Sequence, residues 1–557
     1  MLDRNESLKK ALGMLMPKEP LVEANAVPSY DATNKCNAPA YSISDELQLV
    51  TMLNVLTLSP QYYRTEGETI KELSDLIKRI AEKDPYFVAQ AICWSRNQGE
   101  GMRSINHLAA ALLAPYLVGK DWAKRFYGPY DRKTKSGGCI FRPDDMVEIK
   151  DAFIAIANHP LTNPMRKGFA SVIESLGNYQ LTKYRQSVID ISNLVHPKSV
   201  NSKAEIDIEP EVAEKNKFST THVKTIDAIM RGIVVSADTW EVAQSDAGQE
   251  VAKAVREGKL TEEMAAKVLT EAKNANWESL LRDDKLGILA AVRNVRSILK
   301  VATTPVLKQL CALISNGMRI RDGRVMPYQI DYAYEIVKME FGDTANGRTV
   351  MDALTKGYEL SVPNLKEALP GKTCVMVDCS GSMNDLCHNG NTKSVIRSTA
   401  AEKAGLIAAT IAKATNADIV RFGSNASFFS YNTNTPVFDL GREIGKANLG
   451  GTSISSAFDL ILRNKRAYDR IILLSDNEAN MKSPYSDRWV DETYKDYIRK
   501  VCSPYVYAVD LAAYGTTAIS GNKVNYYFGY GPTMFEDISS KEFNAEKVID
   551  RVRAYKI

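Results

Sequence analysis

The sequence predicts an α plus α/β protein: an α-solenoid of helical repeats followed by a doubly wound, largely parallel sheet. Three observations predict it. From about Ser44 to Phe341 apolar residues recur at helical spacing with almost no strand signal. After about Leu369 apolar runs of strand length alternate with helical stretches. Between the two, SVPNLKEALPGK interrupts both patterns with Pro363, Pro370 and Gly371. Residues 1–365 are therefore expected to form the helical part and 366–557 the α/β part.

The first helix is predicted in SDELQLVTMLNVLTL, with Ser44 as its N-cap and Glu46 as an acid in its first turn. ETIKELSDLIKRIAEK, DPYFVAQAICWSRNQ, MRSINHLAAALLAPYLVG, EIKDAFIAIAN and PMRKGFASVIESLG repeat the type. TIDAIMRGIVV, EEMAAKVLTEAKN, NWESLLRD, KLGILAAVRNVRSIL, TPVLKQLCALISN and YQIDYAYEIVKMEF continue it. Such helices bury their apolar faces on their neighbours. The stretch from His196 to His222 is polar and charged, and reads as a long exposed loop. In the second part TCVMVD, ADIVRFG, RIILLSD and YVYAVDL read as strands. SVIRSTAAEKAGLIAATIAKAT, SISSAFDLILRNKRA and WVDETYKDYIRKVC read as the helices between and after them.

Composition narrows the class. With 557 residues, 45% hydrophobic and 25% charged, the chain is an ordinary globular one, not fibrous or disordered. A net charge of +4 argues neither for nor against nucleic acid, so any polyanion site must be a local patch. The eight cysteines include no C-x-x-C pair and no zinc-finger spacing. No apolar run approaches the ~20 residues of a membrane span, and the N-terminus lacks a signal-peptide pattern. These features predict a reducing, cytoplasmic setting.

One stretch carries chemistry. CVMVDCSGSMND places Asp378 where a predicted strand ends, with Ser380 and Ser382 on the loop beyond. Ligands of a doubly wound sheet bind outside the carboxyl ends of its strands. The same edge should carry Thr452 of LGGTSIS and Asp476 of SDNE. Two carboxylates and three hydroxyls are hard oxygen donors of the kind Mg²⁺ takes. A serine nucleophile is the competing reading. It lacks a G-x-S-x-G, and the nearest histidine, His388, lies in CHNGN. An aspartyl nucleophile would want a second acid where Ser380 stands. A plain capped loop would explain one such segment; three in the right order favour the metal.

This arrangement resembles the von Willebrand factor A-type domain with its metal-ion-dependent adhesion site. The match covers D-x-S-x-S at Asp378, Ser380 and Ser382, then Thr452, then Asp476. The resemblance implies a divalent ion, Mg²⁺, whose shell is completed by an acidic group of a partner: a docking point, not a catalyst.

A helical-repeat part followed by an A-type domain resembles the Ro ribonucleoprotein family with its TROVE module. LNVLTLSPQYYRTEGETIKELSDLI, LTKYRQ followed by NLVHPKS, and WESLLRDDKLGILAAVRNVRSI carry the likeness, as do SDNE and FNAEKVIDRVRAYKI. It implies a ring-like solenoid of HEAT-like repeats and no enzymatic activity. It also implies a small noncoding Y-like RNA on the outer basic surface and single-stranded 3′ ends of misfolded RNA in the central hole. A role in RNA quality control or decay follows, with an exoribonuclease or other protein recruited at the metal site.

For the outer surface Lys183 and His196 carry over by motif and Arg185 as a basic equivalent. Arg166, Lys167 and Lys198 lie in the same stretch, where Glu174 and Asp190 are the acids. Such a cluster suits phosphates, and structured RNA is read largely through backbone and shape. Arg103, Arg319, Arg321 and Arg324 are candidates for the inner channel; the alternative is that they cap helices or form surface ion pairs. Two departures touch the expected RNA surface. The connection from LTKYRQ to NLVHPKS is shorter than the family's, and residues 196–222 look like an insertion. A protein-interaction module that docks an acidic side chain and binds no RNA is the rival expectation.

Overall fold

The computed structural model describes residues 30–56, 65–97, 102–233, 251, 254–255, 257, 259–323, 325, 327–362, 369, 371–384, 386–387, 398–446, 448–528 and 548–557. These form two compact units, neither continuous in sequence. The described residues up to Leu76, with those of Met326–Tyr328 and Ser361–Ala554, make the first; those of Ile77–Val325, Gln329–Leu360 and Tyr555–Ile557 make the second.

The second unit is helical, as the periodicity predicts. Helix Ile288–Leu299 shows why: its buried residues, Ile288, Ala291, Val292, Val295, Ile298 and Leu299, recur at i, i+3 and i+4 spacing along one face. Helix Pro85–Asn97 begins where Asp84 accepts the Phe87 N–H at 3.0 Å. Helices Ser104–Leu113 and Pro143–Ala157 pack together, as do Asn163–Ser175 and Arg185–Val195. EEMAAKVLTEAKN and NWESLLRD form one helix, Glu262–Arg282, because no proline or glycine separates them. Helices Asn178–Lys183, Arg185–Val195 and Ala345–Ser361 add to those the sequence pointed to.

Residues 196–222 are not the long exposed loop expected. Strand Glu205–Asp207 pairs antiparallel with His222–Lys224, and helix Pro210–Lys215 lies between them. Small and β-branched residues at a few positions suffice to anchor it. Ala204, Ala213 and Val223 are buried, and Asn178 donates through Nδ2 to the Glu205 carbonyl at 2.9 Å.

The first unit is built on a six-stranded sheet. Its strands are β1 (Thr373–Asp378), β2 (Asp418–Phe422), β3 (Ala426–Phe429), β4 (Arg470–Ser475), β5 (Tyr505–Asp510) and β6 (Val524–Phe528). Their order is β3-β2-β1-β4-β5-β6, parallel except for the edge strand β3. β1 and β4 are buried at every residue, which is why they read as unbroken apolar runs. One face packs Met376, Phe422, Leu473 and Val506 against Phe458 and Ile461 of helix Ile454–Arg463 and Tyr494 and Tyr497 of helix Val490–Lys500. Helix Ala400–Thr415, opened by a capping box of Thr399 and Glu402, packs on β1 as well as on helix Val437–Gly445.

The N-terminal described residues complete this unit. Strand Pro39–Ser42 pairs with Thr516–Thr517, and Asn34 donates through Nδ2 to the Ala479 carbonyl at 2.7 Å. Helix Asp45–Val55 starts at Ser44, whose Oγ accepts the Leu47 N–H at 3.1 Å.

Candidate functional site

Chain order runs from β1 outward to β2 and β3, then returns to β4 on the other side of β1. The switch point of the sheet therefore lies between β1 and β4, at the carboxyl ends where Asp378 and Asp476 emerge. Three loops are tied together there. The Gly381 N–H donates to the Gly450 carbonyl at 3.0 Å, and the Leu449 N–H to the Cys379 carbonyl at 2.9 Å. The Asn480 and Met481 N–H groups donate to the Thr452 carbonyl at 3.0 and 3.1 Å, while Asn480 Oδ1 accepts the Thr452 N–H at 2.8 Å. Gly450 takes φ of +86°, a conformation that suits glycine.

Asp378 is wholly buried; its Oδ1 accepts the Ser380 N–H at 2.9 Å and its Oδ2 the Ser475 hydroxyl at 2.6 Å. Burial, then the neighbouring Asp476 charge, pushes its carboxyl up to about 7. Ser380, Thr452 and Asp476 are buried, and the hydroxyls of Ser380 and Ser382 lie 3.3 Å apart. The five predicted donors thus come from loops held against one another. A buried carboxylate whose proton affinity is raised by a second buried carboxylate beside it, both near hydroxyls, is a donor set that a small divalent cation fits. Among the described residues no three His, Cys, Asp or Glu side chains gather as a metal-holding cluster, so this set depends on its hydroxyls. The sequence reading missed Ser475 and Glu478. Glu478 is fully buried, and burial followed by the Asp476 charge pushes it up to about 8. His388 lies outside the described residues.

In the helical unit the expected outer-surface residues are split by the fold into exposed and anchored ones. Arg166 and Lys167 are exposed in the first turns of helix Asn163–Ser175. Lys183 is exposed; its Nζ donates to the Tyr179 hydroxyl at 2.9 Å and lies 5.3 Å from that ring's centre. Arg185 is half-buried and donates to the Gly232 carbonyl at 3.4 Å. His196 is exposed at the C-cap of helix Arg185–Val195 with φ of +51°. Lys198 is exposed, and its backbone N–H donates to Glu174 Oε1 at 2.6 Å. Glu174 therefore ties the start of the 196–222 segment to the far end of the helix that bears Arg166 and Lys167.

The inner-channel candidates sit differently. Arg103 donates to Asp144 at 2.9 Å and to Asp145 at 3.0 Å. Asp145 is wholly buried and also meets Arg96 at 3.2 Å, His107 at 3.0 Å and the backbone N–H groups of Phe141 and Arg142 at 3.0 and 2.8 Å. Arg319 pairs with Asp284; Arg321 is exposed in the same short helix; Arg324 lies outside the described residues. Asp145, which organises this cluster, lies before the predicted helix EIKDAFIAIAN and carried no signal in the sequence; the observed helix starts earlier, at Pro143, and puts it in the first turn.

No protein-family model matches the sequence, and no curated protein matches it. Among solved structures, the crystal structure of the Deinococcus radiodurans Ro (RSR) protein matches it at 15% sequence identity with a TM-score of 0.54. The match covers 90% of this chain and 100% of that one. Helical repeats and a doubly wound sheet thus occur here in the fold of a bacterial Ro protein.

Proposed function

We propose that the chain is a non-catalytic RNA-binding scaffold that carries a small structured, Y-like noncoding RNA. The observation that carries this reading is the exposure of Arg166, Lys167, Lys183, His196 and Lys198 along one helical stretch in a chain with the Ro fold. Exposed arginines and lysines at separate points along these helices and just beyond them suit a phosphate backbone, which offers charge at regular intervals. Single-stranded 3′ ends of misfolded RNA, and a part in RNA quality control or decay in the cytoplasm, extend the same reading. Among the described residues no helix is long and apolar enough to cross a membrane.

At the sheet edge Asp378, Ser380, Ser382, Thr452 and Asp476 would hold Mg²⁺. The ion would supply a positive point to which an acidic side chain of a partner, such as an exoribonuclease, could dock. The chain's own residues bury the two carboxylates, hold the three loops together and keep the hydroxyls beside them.

The test is charge reversal, Lys183→Glu with Arg185→Glu, measured by binding to a stem–loop RNA and by sequencing RNA copurified from cells. Wild type should enrich structured RNA and bind with salt-dependent affinity, and the double variant should lose both with its circular dichroism unchanged. Wild type without enriched RNA or salt-dependent binding overturns the proposal. Unchanged RNA binding alongside lost protein partners would favour a metal-dependent protein scaffold whose helical face grips a protein while the metal site docks an acidic side chain.

A further inference from the structure

The strongest concentration of positive charge in the helical unit lies outside the residues just described. Between positions 120 and 142 stand Lys120, Lys124, Arg125, Arg132, Lys133, Lys135 and Arg142, seven basic residues against two acids, Asp121 and Asp131. The fold turns this run outward. Strands Tyr130–Asp131 and Ser136–Gly137 form a hairpin whose turn is Arg132, Lys133, Thr134 and Lys135, all exposed. Lys124, Arg125 and Arg142 are exposed at its base. Asp131, the acid within the hairpin, accepts the Lys133 backbone N–H at 2.8 Å.

The hairpin is held firmly. The Gly138 N–H donates to the Pro129 carbonyl at 3.1 Å and the Cys139 N–H to the Phe126 carbonyl at 2.8 Å. A β-carbon on Gly138 would come within 2.2 Å of the Gly128 carbonyl oxygen, so only glycine permits this approach. The Gly137 N–H donates to the Lys556 carbonyl at 2.8 Å, and the Tyr555 hydroxyl donates to the Gly137 carbonyl at 3.1 Å. Tyr130 stacks on Phe141 with ring centres 5.4 Å apart, and the Arg132 guanidinium lies 4.6 Å from the Phe141 ring centre. A guanidinium seated on a ring keeps its N–H fork in a set plane, ready for a phosphate.

The patch also adjoins the expected RNA face. At Gly168 the helix bearing Arg166 and Lys167 lies so close to residues 124–127 that an added β-carbon would meet Tyr127 Cβ at 2.5 Å and the Lys124 carbonyl oxygen at 2.8 Å. Lys124 and Arg125 therefore stand beside that helix, and the hairpin continues from them.

We infer that the 130–137 hairpin, with Lys124, Arg125 and Arg142 at its base, is a second phosphate-contacting surface that grips the backbone of the bound RNA next to Arg166 and Lys167. The inference rests on the RNA-binding reading above and adds to it a rigid, sequence-independent clamp. Charge without base-reading side chains predicts uniform tightening of binding across sequences.

The test uses the full-length chain, a fluorescent stem–loop RNA and the triple variant Arg132→Glu, Lys133→Glu, Lys135→Glu. Because all three side chains are exposed and Arg132 gives up only a surface ring contact, thermal melting should shift by no more than a few degrees. In moderate salt the variant should bind about 10- to 100-fold more weakly, and its log affinity should fall less steeply with log salt, by about one unit per lost phosphate contact. A second stem–loop of scrambled sequence should lose affinity equally. If wild type binds the stem–loop and the variant matches its affinity and salt slope, the clamp is refuted while the RNA reading stands. If wild type binds neither stem–loop, both fall.

Discussion

Asp145→Asn removes one charge from the centre of the helical unit while keeping the side chain's shape. The aspartate is fully buried, and its two oxygens receive Arg96, Arg103, His107 and the backbone N–H groups of Phe141 and Arg142. An amide has one acceptor oxygen. In either orientation its NH₂ must face donors, and the guanidinium of Arg96, itself buried, loses its counter-charge. Removing one partner of a buried ion pair costs about 3–5 kcal/mol. For a unit of this size that lowers the melting midpoint by on the order of 10 °C. The assay is thermal and urea unfolding followed by circular dichroism. A pH arm sharpens it. Burial alone would raise the Asp145 carboxyl, but the His107 hydrogen bond and the charges of Arg96, His107 and Arg103 hold it well below the usual range. Its folded value is thus depressed. The stabilisation is present above the unfolded value and is lost as pH falls toward the folded one. The asparagine variant should therefore lose less stability than wild type on acidification. A midpoint within about 2 °C of wild type would refute the view that this cluster holds the helices together.

Mg²⁺ should raise the melting temperature, and more so above the raised value of about 7 at Asp378 than below it, since the ion requires a deprotonated carboxylate. Without metal the sign reverses: the folded carboxyl binds its proton more tightly than the unfolded one, so stability falls as pH rises toward that value. Equal Mg²⁺ shifts in wild type and Asp378→Asn would refute the donor set. His222 lies between Asp207, 2.9 Å away, and Glu205, 2.5 Å away, and these hydrogen bonds raise its pKa, that to Asp207 most. Its contribution to the 205–224 hairpin is complete below the unfolded value near 6.5 and is lost as pH rises through the folded one. Histidine resonances titrated by NMR should show a raised midpoint for His222 that drops in Asp207→Asn; an unshifted midpoint in wild type would refute the clasp.

The central strands were legible because burial on both faces leaves nearly unbroken apolar runs, as in TCVMVD and RIILLSD. The flanking strands Ala426–Phe429 and Val524–Phe528 were not, since edge strands are short and need no such pattern. The candidate donors Asp378, Ser380, Ser382 and Asp476 could be placed from sequence because they lie at or just beyond strand ends, which topology carries to one edge, whereas Thr452 reaches that edge from the turn between helices Val437–Gly445 and Ile454–Arg463. The arginines could not. Arg103 and Arg319 are paired with Asp144, Asp145 and Asp284, acids 35 to 42 positions away, and only the fold brings them together. The 196–222 segment misled for a related reason: a few buried residues and one pair of short strands hold it, too little to mark a polar run as folded.

The pairing of Pro39–Ser42 with Thr516–Thr517, and of Asn34 with Ala479, has a consequence for how the molecule comes into being. On the ribosome residues 34–42 emerge early, but their partners are made more than 400 residues later. Strand Pro39–Ser42 can pair on one side with the neighbouring Ala32–Thr33, but its other edge must stay open while an entire helical unit is synthesised, an opening for misassociation with other exposed edges. It also means that residues 366–557 expressed alone would lack a structural piece that only the opposite end of the chain supplies.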